Sequence, residues 1–229
     1  MFDVKNEKQL AAEAAVGLVK EGMIIGLGSG STAAFAIEAI GKLVAGGMQL
    51  SGIPTSVASE VLAKEAGIPL TTLEENPVVD LTIDGADRFD DRLNLIKGGG
   101  GAMLREKIVA SCSKRLVIIT DAGKYANPLS GFPVPVEVVP FSHHPIALQF
   151  EEQGLRPVIR QREGAPFVTD EGNYILDLQI DQIDNPQELE RKLDLPGVVG
   201  HGLFTGMADE LFMGDGNSVQ HFTRDPSST

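Results

Sequence analysis

The sequence predicts an α/β protein: a doubly wound, mostly parallel sheet with a smaller inserted α+β domain. Three observations carry that reading. Apolar runs alternate with segments of helical periodicity from residue 8 to about 120. Three of the apolar runs lead into glycine-punctuated segments, Gly26–Ala33, Asp84–Asp87 and Lys97–Glu106. The chain is also ample for a core, with 229 residues of which 42% are hydrophobic.

Taken in order, Leu10, Ala11, Ala14, Ala15 and Leu18 recur at helical spacing between Lys8 and Lys20, with Gly22 placed to cap that helix. Met23–Leu27 is a short apolar strand entering the first glycine segment, and an alanine-rich helix runs from Thr32 to Leu43. A strand at Ile53 precedes Thr55–Ser59 and a helix to Ala66, and Val78–Ile83 is the next strand. Leu93–Ile96 is a shorter strand and Met103–Cys112 a helix. Leu116–Thr120 is the most β-branched run of the chain and belongs at the centre of the sheet.

Beyond it the composition changes. Lys124–Pro145 contains five prolines (128, 133, 135, 140 and 145), which suits edge or crossover segments. A domain boundary is expected here, giving residues 1–130 plus 200–229 to the main domain and 131–199 to the small one. The latter reads as strands at Val136–Val139, Pro157–Arg160 and Tyr174–Leu178, with helices around Ile146–Gln153 and Pro186–Leu193 and turns at Gly154 and Glu171–Asn173. Met213–Asn217 reads as a turn before a last strand, Ser218–Phe222, that returns to the main sheet, and Arg224–Thr229 as a loose polar tail.

A net charge of −13 argues against nucleic acid as a partner, since phosphate backbones require clustered Lys and Arg. The single cysteine, Cys112, allows no intramolecular disulfide and reads as an ordinary packed thiol of a reducing compartment. Without a signal-peptide pattern or a membrane-length apolar run, the expectation is a soluble cytoplasmic protein.

In an open parallel sheet, ligands bind outside the carboxyl ends of the strands, so the three glycine segments are expected to share one edge of one sheet. The first offers Ser29, Gly30, Ser31 and Thr32 at the start of a helix whose dipole favours an anion. It is neither a dinucleotide fingerprint, whose third glycine would fall on Ser31, nor a P-loop, which needs Gly-Lys-Ser/Thr. A tight turn without a ligand is the competing reading. Asp84, Gly85, Ala86 and Asp87 end a strand with two carboxylates; an aspartate-stabilised turn is the alternative. Asp90, Asp91, Arg88 and Arg92 look like a solvated charge cluster. Two aspartates without neighbouring histidine or further acids are a poor metal site, so no metal and no cofactor are expected.

In the third segment Lys97 precedes four consecutive glycines, Gly98 to Gly101, whose amides no side chain obstructs. That is an oxyanion cradle beside a cation. Glu106 opens the next helix, where a desolvated carboxylate could serve as a general base; a surface glutamate paired with Lys107 or Arg105 is the alternative. Base, cation and anion loop together suggest proton abstraction beside a carbonyl of a small phosphorylated substrate, by way of an enediolate. His143 and His144, in the proline-rich stretch, and His201 lie outside these segments and read as structural or exposed.

Gly28–Ala33, Asp84–Asp87, Lys97–Lys107, Gly131–Val138, Pro196–Val199 and Gly202–Phe204 resemble the corresponding motifs of the ribose-5-phosphate isomerase type A family over nearly the whole chain. The resemblance implies metal-independent interconversion of ribose 5-phosphate and ribulose 5-phosphate, in the pentose phosphate pathway or the Calvin cycle. It implies Glu106 as proton acceptor, Lys97 with Gly98, Gly99 and Gly100 as enediolate stabilisers, and Asp84 and Asp87 as groups that bind sugar hydroxyls and assist ring opening. Lys8, Ser29 to Thr32 and Lys124 would hold the substrate and its phosphate, in a homodimer or tetramer. Two rivals use related folds. A non-catalytic sugar-phosphate sensor would need a DNA-binding module, and a coenzyme A transferase would use glutamate as a nucleophile.

Overall fold

The structure, a computed structural model, describes residues 3–224. The chain divides into two compact units. One is built from the chain up to Ala86, from Arg105–Lys124 and from Gly206 onward; the other from Asp87–Leu104 and Tyr125–Thr205. Residues 87–104, assigned to the main domain on sequence, thus pack with the second unit. All but the first residue of the expected polar tail lies outside the described residues.

The first unit holds a six-stranded sheet in the order Ser218–Thr223, Glu210–Asp215, Leu116–Asp121, Leu81–Gly85, Ile24–Leu27, Ser51–Pro54. Every pairing is parallel except that of the last two strands in the chain. From Ile24–Leu27 the chain runs outward to Ser51–Pro54, then returns to the other side of its starting strand. The strand order reverses there, which opens a crevice at the carboxyl ends of Ile24–Leu27 and Leu81–Gly85. Leu116–Asp121 is buried at all six positions, as its β-branched run predicts.

Helix Ser31–Ala45 buries Ala33, Ala36, Ile37 and Ile40 on one face of the sheet, where Ile25, Leu27, Leu81, Ile83, Val117 and Ile119 complete the core. The first helix shares that face but spans Val4–Val16, earlier than its apolar periodicity indicates. Asp3 sets the start by accepting from the Lys5 and Asn6 amides at 3.0 and 3.4 Å, and Gly17, not Gly22, closes the helix. On the other face Val109 of helix Met103–Ser111 packs with Ile53 and Val79.

The segment Met213–Asn217 departs from expectation. Its first three residues complete the strand Glu210–Asp215, and only Gly216 and Asn217 form the hairpin turn. Gly214 sits in the strand because the first helix crosses it closely. A Cβ there would lie 2.0 Å from the Glu7 carbonyl oxygen. Buried Glu7 also accepts from the Gly216 amide at 3.0 Å, so one residue ties the helix to the turn.

The second unit is α+β. A four-stranded antiparallel sheet, ordered Val198–His201, Val134–Val138, Tyr174–Leu178, Pro157–Ile159, packs with helices His143–Glu152 and Pro186–Leu193 around Val136, Val138, Ile146, Phe150, Leu176 and Leu189. Proline in the interior strand Val134–Val138 is tolerated because Pro135 is asked only to accept, from the Gly202 amide at 2.7 Å. Leu95–Ile96 is not part of the six-stranded sheet. It sits between Leu203–Phe204 and Arg88–Phe89 in an antiparallel sheet of the second unit.

The Arg88–Arg92 cluster is not simply solvated. Asp90 is buried and accepts from the Arg92 and Asn94 amides at 2.9 and 2.8 Å, while Arg88 donates to the carbonyls of Asp87, Ser130 and Gly131. A turn in which Leu93 adopts φ 56° folds these groups back on the backbone.

Glu137, 1% exposed in the interior strand, accepts from Thr169 Oγ1 at 2.7 Å and Asn173 Nδ2 at 3.0 Å. Burial pushes its pKa above the ordinary carboxylate value, those two hydrogen bonds pull it back, and Asp170 and Glu171 nearby push it up again. A raised folded-state pKa favours the fold fully below the unfolded value and loses that contribution as pH rises through the folded one. Glu137→Gln should therefore match or exceed the parent in denaturant stability at pH 7, with the difference shrinking in acid. A variant less stable at pH 7 than at pH 4, relative to the parent, would contradict this. Gly214→Ala should destabilise by about 1–3 kcal/mol or more, because two backbone segments must part; an unchanged urea midpoint would show that the crossing is loose.

Candidate active site

In the first unit, the loop after Ile24–Leu27 is moulded around Asp84. A Cβ on Gly28 would lie 2.3 Å from Asp84 Oδ1 and 2.5 Å from its Cα, so only glycine lets loop and strand meet. Asp84 is 1% exposed, and its Oδ1 accepts from the Ser29 amide at 3.0 Å and the Gly85 amide at 2.7 Å. The aspartate-turn reading is part of the truth: this carboxylate organises the loop as well as facing the strand's carboxyl edge.

Gly30 leads into helix Ser31–Ala45 and supplies no side-chain cap, so the first amides of the helix are left for an anion. Lys8 reaches the same place, its Nζ donating to Ser31 Oγ at 3.0 Å. A residue from the first helix, a hydroxyl and a helix N-terminus therefore converge. Thr32 follows in the first turn. Lys124 ends the short 3₁₀ turn Ala122–Lys124 beyond the neighbouring strand Leu116–Asp121.

Glu106 is 5% exposed, which removes the surface-glutamate reading. Its direction follows from the packing of helix Met103–Ser111. Ser113, just past the helix end, bonds Thr82 Oγ1 at 2.7 Å, and Val109 packs against Gly26. Glu106 shares the face of Val109 one turn nearer the carboxyl ends of the strands, over the side of the sheet that bears Thr82 and Asp84.

In the second unit, Lys97 is 3% exposed and lies with Nζ 5.5 Å from the Phe204 ring centroid, a cation–π geometry that holds a buried ammonium. Asp87 accepts from the Gly99 amide at 2.8 Å. The glycines are not a uniform row of open donors, as their sequence suggests: Gly99 gives its N–H to Asp87 and Gly101 gives its own to the Gly98 carbonyl at 3.0 Å. Four glycines close a turn, and that turn consumes two of their amides. The expectation that all three segments leave one sheet is thereby corrected, since Lys97 follows a strand of a different sheet.

Sequence reasoning missed Thr55 and Ser56, whose hydroxyls bond Ser29 Oγ at 2.8 and 2.7 Å. It missed Asp121, buried at the carboxyl end of its strand, and Arg160, which donates to the Gly98 and Gly99 carbonyls. Strand-end position could have found the first three; Arg160, far along the chain, carried no local signal. His143 bonds the Pro140 carbonyl through Nδ1 at 2.7 Å. Among the described residues no group of three or more His, Cys, Asp or Glu side chains is arranged to hold a metal ion, and no helix is long and apolar enough to cross a membrane.

Known proteins resemble the chain closely. The sequence signature of ribose 5-phosphate isomerase A (phosphoriboisomerase A) matches residues 51–218. Ribose-5-phosphate isomerase A of Sphingopyxis alaskensis is 45% identical, over 93% of this chain and 94% of that protein; the Methylorubrum extorquens protein of the same name is 48% identical, over 90% and 91%. Among solved structures, a D-ribose-5-phosphate isomerase in complex with phospho-erythronic acid superposes with a TM-score of 0.94 at 35% identity, covering 97% of this chain and all of that one. Ribose 5-phosphate isomerase A from Methanocaldococcus jannaschii gives 0.90 at 40% identity, over 94% and 97%. With its sequence matched over most of its length and its fold reproduced, this chain belongs to the ribose-5-phosphate isomerase A family.

Proposed function

We propose that Glu106 carries the proton between C1 and C2 when this chain interconverts ribose 5-phosphate and ribulose 5-phosphate. The isomerase activity itself follows from family membership. In the open-chain aldose, the Glu106 carboxylate takes the C2 proton and the electron pair forms a C1–C2 double bond, leaving the negative charge on O1. Returning the proton to C1, with a proton passing from O2 to O1, yields the ketose. Lys97 and the free glycine amides stabilise the enediolate oxygen, which is where charge appears only in the transition state and after it. Asp84 and Asp87 bind sugar hydroxyls and assist ring opening.

The observation that carries this reading is the burial of Glu106 on a helix face turned toward the strand that bears Asp84. A carboxylate so placed has been removed from bulk water, which suits abstraction from carbon. The phosphate falls to Lys8, Ser29 to Thr32 and Lys124, an assignment supported by the uncapped helix and the Lys8–Ser31 bond. That a related isomerase was solved with phospho-erythronic acid supports a phosphorylated sugar as the ligand. We place the enzyme in the cytoplasm as a homodimer or tetramer.

Glu106→Gln should fold normally and lose at least ~10²-fold in kcat in a ribulose 5-phosphate formation assay; near-normal turnover would remove Glu106 from the mechanism. Because the Lys97 ammonium supplies the positive charge, exhaustive dialysis against EDTA should leave the rate unchanged. Loss of activity that a divalent ion restores would defeat that assignment.

A further inference from the structure

Gly98 to Gly101 would be a floppy segment if left to themselves, since glycine has the largest backbone freedom of any residue. In this structure the segment is gripped by side chains distant in sequence. Arg160 donates through Nη1 to the carbonyls of Gly98 and Gly99, at 2.8 and 3.1 Å. Its other edge is taken by Asp177 in a two-point pairing, Nε to Oδ2 at 2.9 Å and Nη2 to Oδ1 at 2.6 Å. Both side chains are largely buried, at 14% and 16% exposure, and the guanidinium also lies 5.9 Å from the Phe167 ring centroid. A fork held this rigidly fixes whatever its remaining nitrogen touches.

The consequence follows from peptide geometry. The bonds joining Gly98, Gly99 and Gly100 are trans, and in a trans peptide the N–H points opposite to the C=O. The Gly98–Gly99 peptide has its C=O on Arg160 and Gly101 N–H, and its N–H on Asp87. It is fully engaged and cannot serve a substrate. The Gly99–Gly100 peptide has its C=O on Arg160, so its N–H, that of Gly100, is turned to the side away from the guanidinium. Gly99 and Gly100 are exposed, and a Cβ added to Gly100 would meet nothing within 4 Å.

We propose that Arg160, locked by Asp177, is a positioning residue that aims the Gly100 N–H as an oxyanion donor of the glycine segment. The proposal rests on the reading that this segment stabilises the enediolate. It narrows four candidate amides to two, those of Gly98 and Gly100, and assigns the direction of the second to a charge pair that itself touches no reacting atom. A preorganised donor costs no reorganisation when charge develops, whereas a mobile one must be ordered in each turnover, so the effect belongs in kcat rather than in substrate binding.

Arg160→Lys keeps a cation beside Asp177 but loses the planar fork that pairs with the carboxylate at two points while its far nitrogen reaches the carbonyls. The expected result is a kcat lower by about 10-fold or more, a KM within about 2-fold of the parent, and an unchanged melting temperature to within a few degrees. Affinity for a hydroxamate mimic of the enediolate should fall by the same factor as kcat. Asp177→Asn, which leaves the guanidinium but loosens its lock, should show the same pattern more weakly, and millimolar guanidinium should restore part of the turnover of Arg160→Ala. A merely structural pair would lower melting temperature and active fraction while leaving kcat per folded molecule and hydroxamate affinity intact; that result, or unchanged kcat in both variants, would overturn the proposal. Lys97→Met, measured alongside, separates the two levels. If it is crippled while Arg160→Lys is not, only the role of Arg160 falls; if it too turns over normally, the reading of the whole segment falls with it.

Discussion

The contact between the Asp84 carboxylate and the backbone of the first glycine loop is the constraint from which the rest of the first unit's site follows. It exists because Gly28 has no side chain: even one carbon there would overlap Asp84. With that approach allowed, one oxygen of Asp84 collects the amides of Ser29 and Gly85, so loop and strand end become a single hydrogen-bonded piece. The loop then delivers Gly30 and Ser31 to the start of an uncapped helix, within reach of Lys8, while the strand keeps its carboxylate at the edge where the order of the parallel sheet reverses. Two backbone amides on one oxygen also offset part of the cost of burying a polar side chain.

The same logic recurs at other buried polar groups, with different consequences. Glu7 ties its own helix to a hairpin turn, and Asp90 gathers the amides of a turn closed by Leu93; both are acids used as structural staples. Glu137 is less well served, with one oxygen bonded twice and the other lacking a hydrogen bond among the described residues, and burial raises its pKa in spite of the two bonds. Arg160 and Asp177 are an ion pair whose unused edge is given to backbone carbonyls, so the pair does more than cancel its own desolvation. Sorting buried charges by where their remaining hydrogen bonds go thus separates groups that hold the fold from groups that hold a site.

Local pattern made much of this legible. The strand–loop–helix unit around Gly26–Ala33, the interior strand at Leu116, the helix Pro186–Leu193 and the placement of Asp84 and Glu106 near strand ends all follow from periodicity and glycine positions over a dozen residues or fewer. What escaped was set by distant partners. Leu95–Ile96 has the same apolar character as a parallel strand, and nothing within it says that Leu203–Phe204 and Arg88–Phe89 will flank it. Gly214 reads as a turn until the first helix is known to cross it, and the glycine run reads as four open amides until Asp87 and Arg160 take up its polar groups. Asp3 is the exception, a local cap signal that lies outside the apolar periodicity.

An acidic chain that handles a phosphorylated sugar must recognise an anion against its own long-range field. With a net charge of −13, diffuse steering opposes the substrate, so attraction has to be concentrated in a few short contacts. On the proposed reading the chain meets this with backbone dipoles as much as with cations: the open amides of a helix start, beside a lysine held on a serine hydroxyl, and the amide of a glycine whose direction a buried arginine fixes from behind. Backbone donors carry no counter-charge to be desolvated and no side-chain entropy to be lost, and their strength depends on how the backbone places and orients them. That dependence is why the residues deciding their orientation, Gly28 and Asp84 in one unit and Arg160 and Asp177 in the other, matter as much as the residues that would meet the substrate.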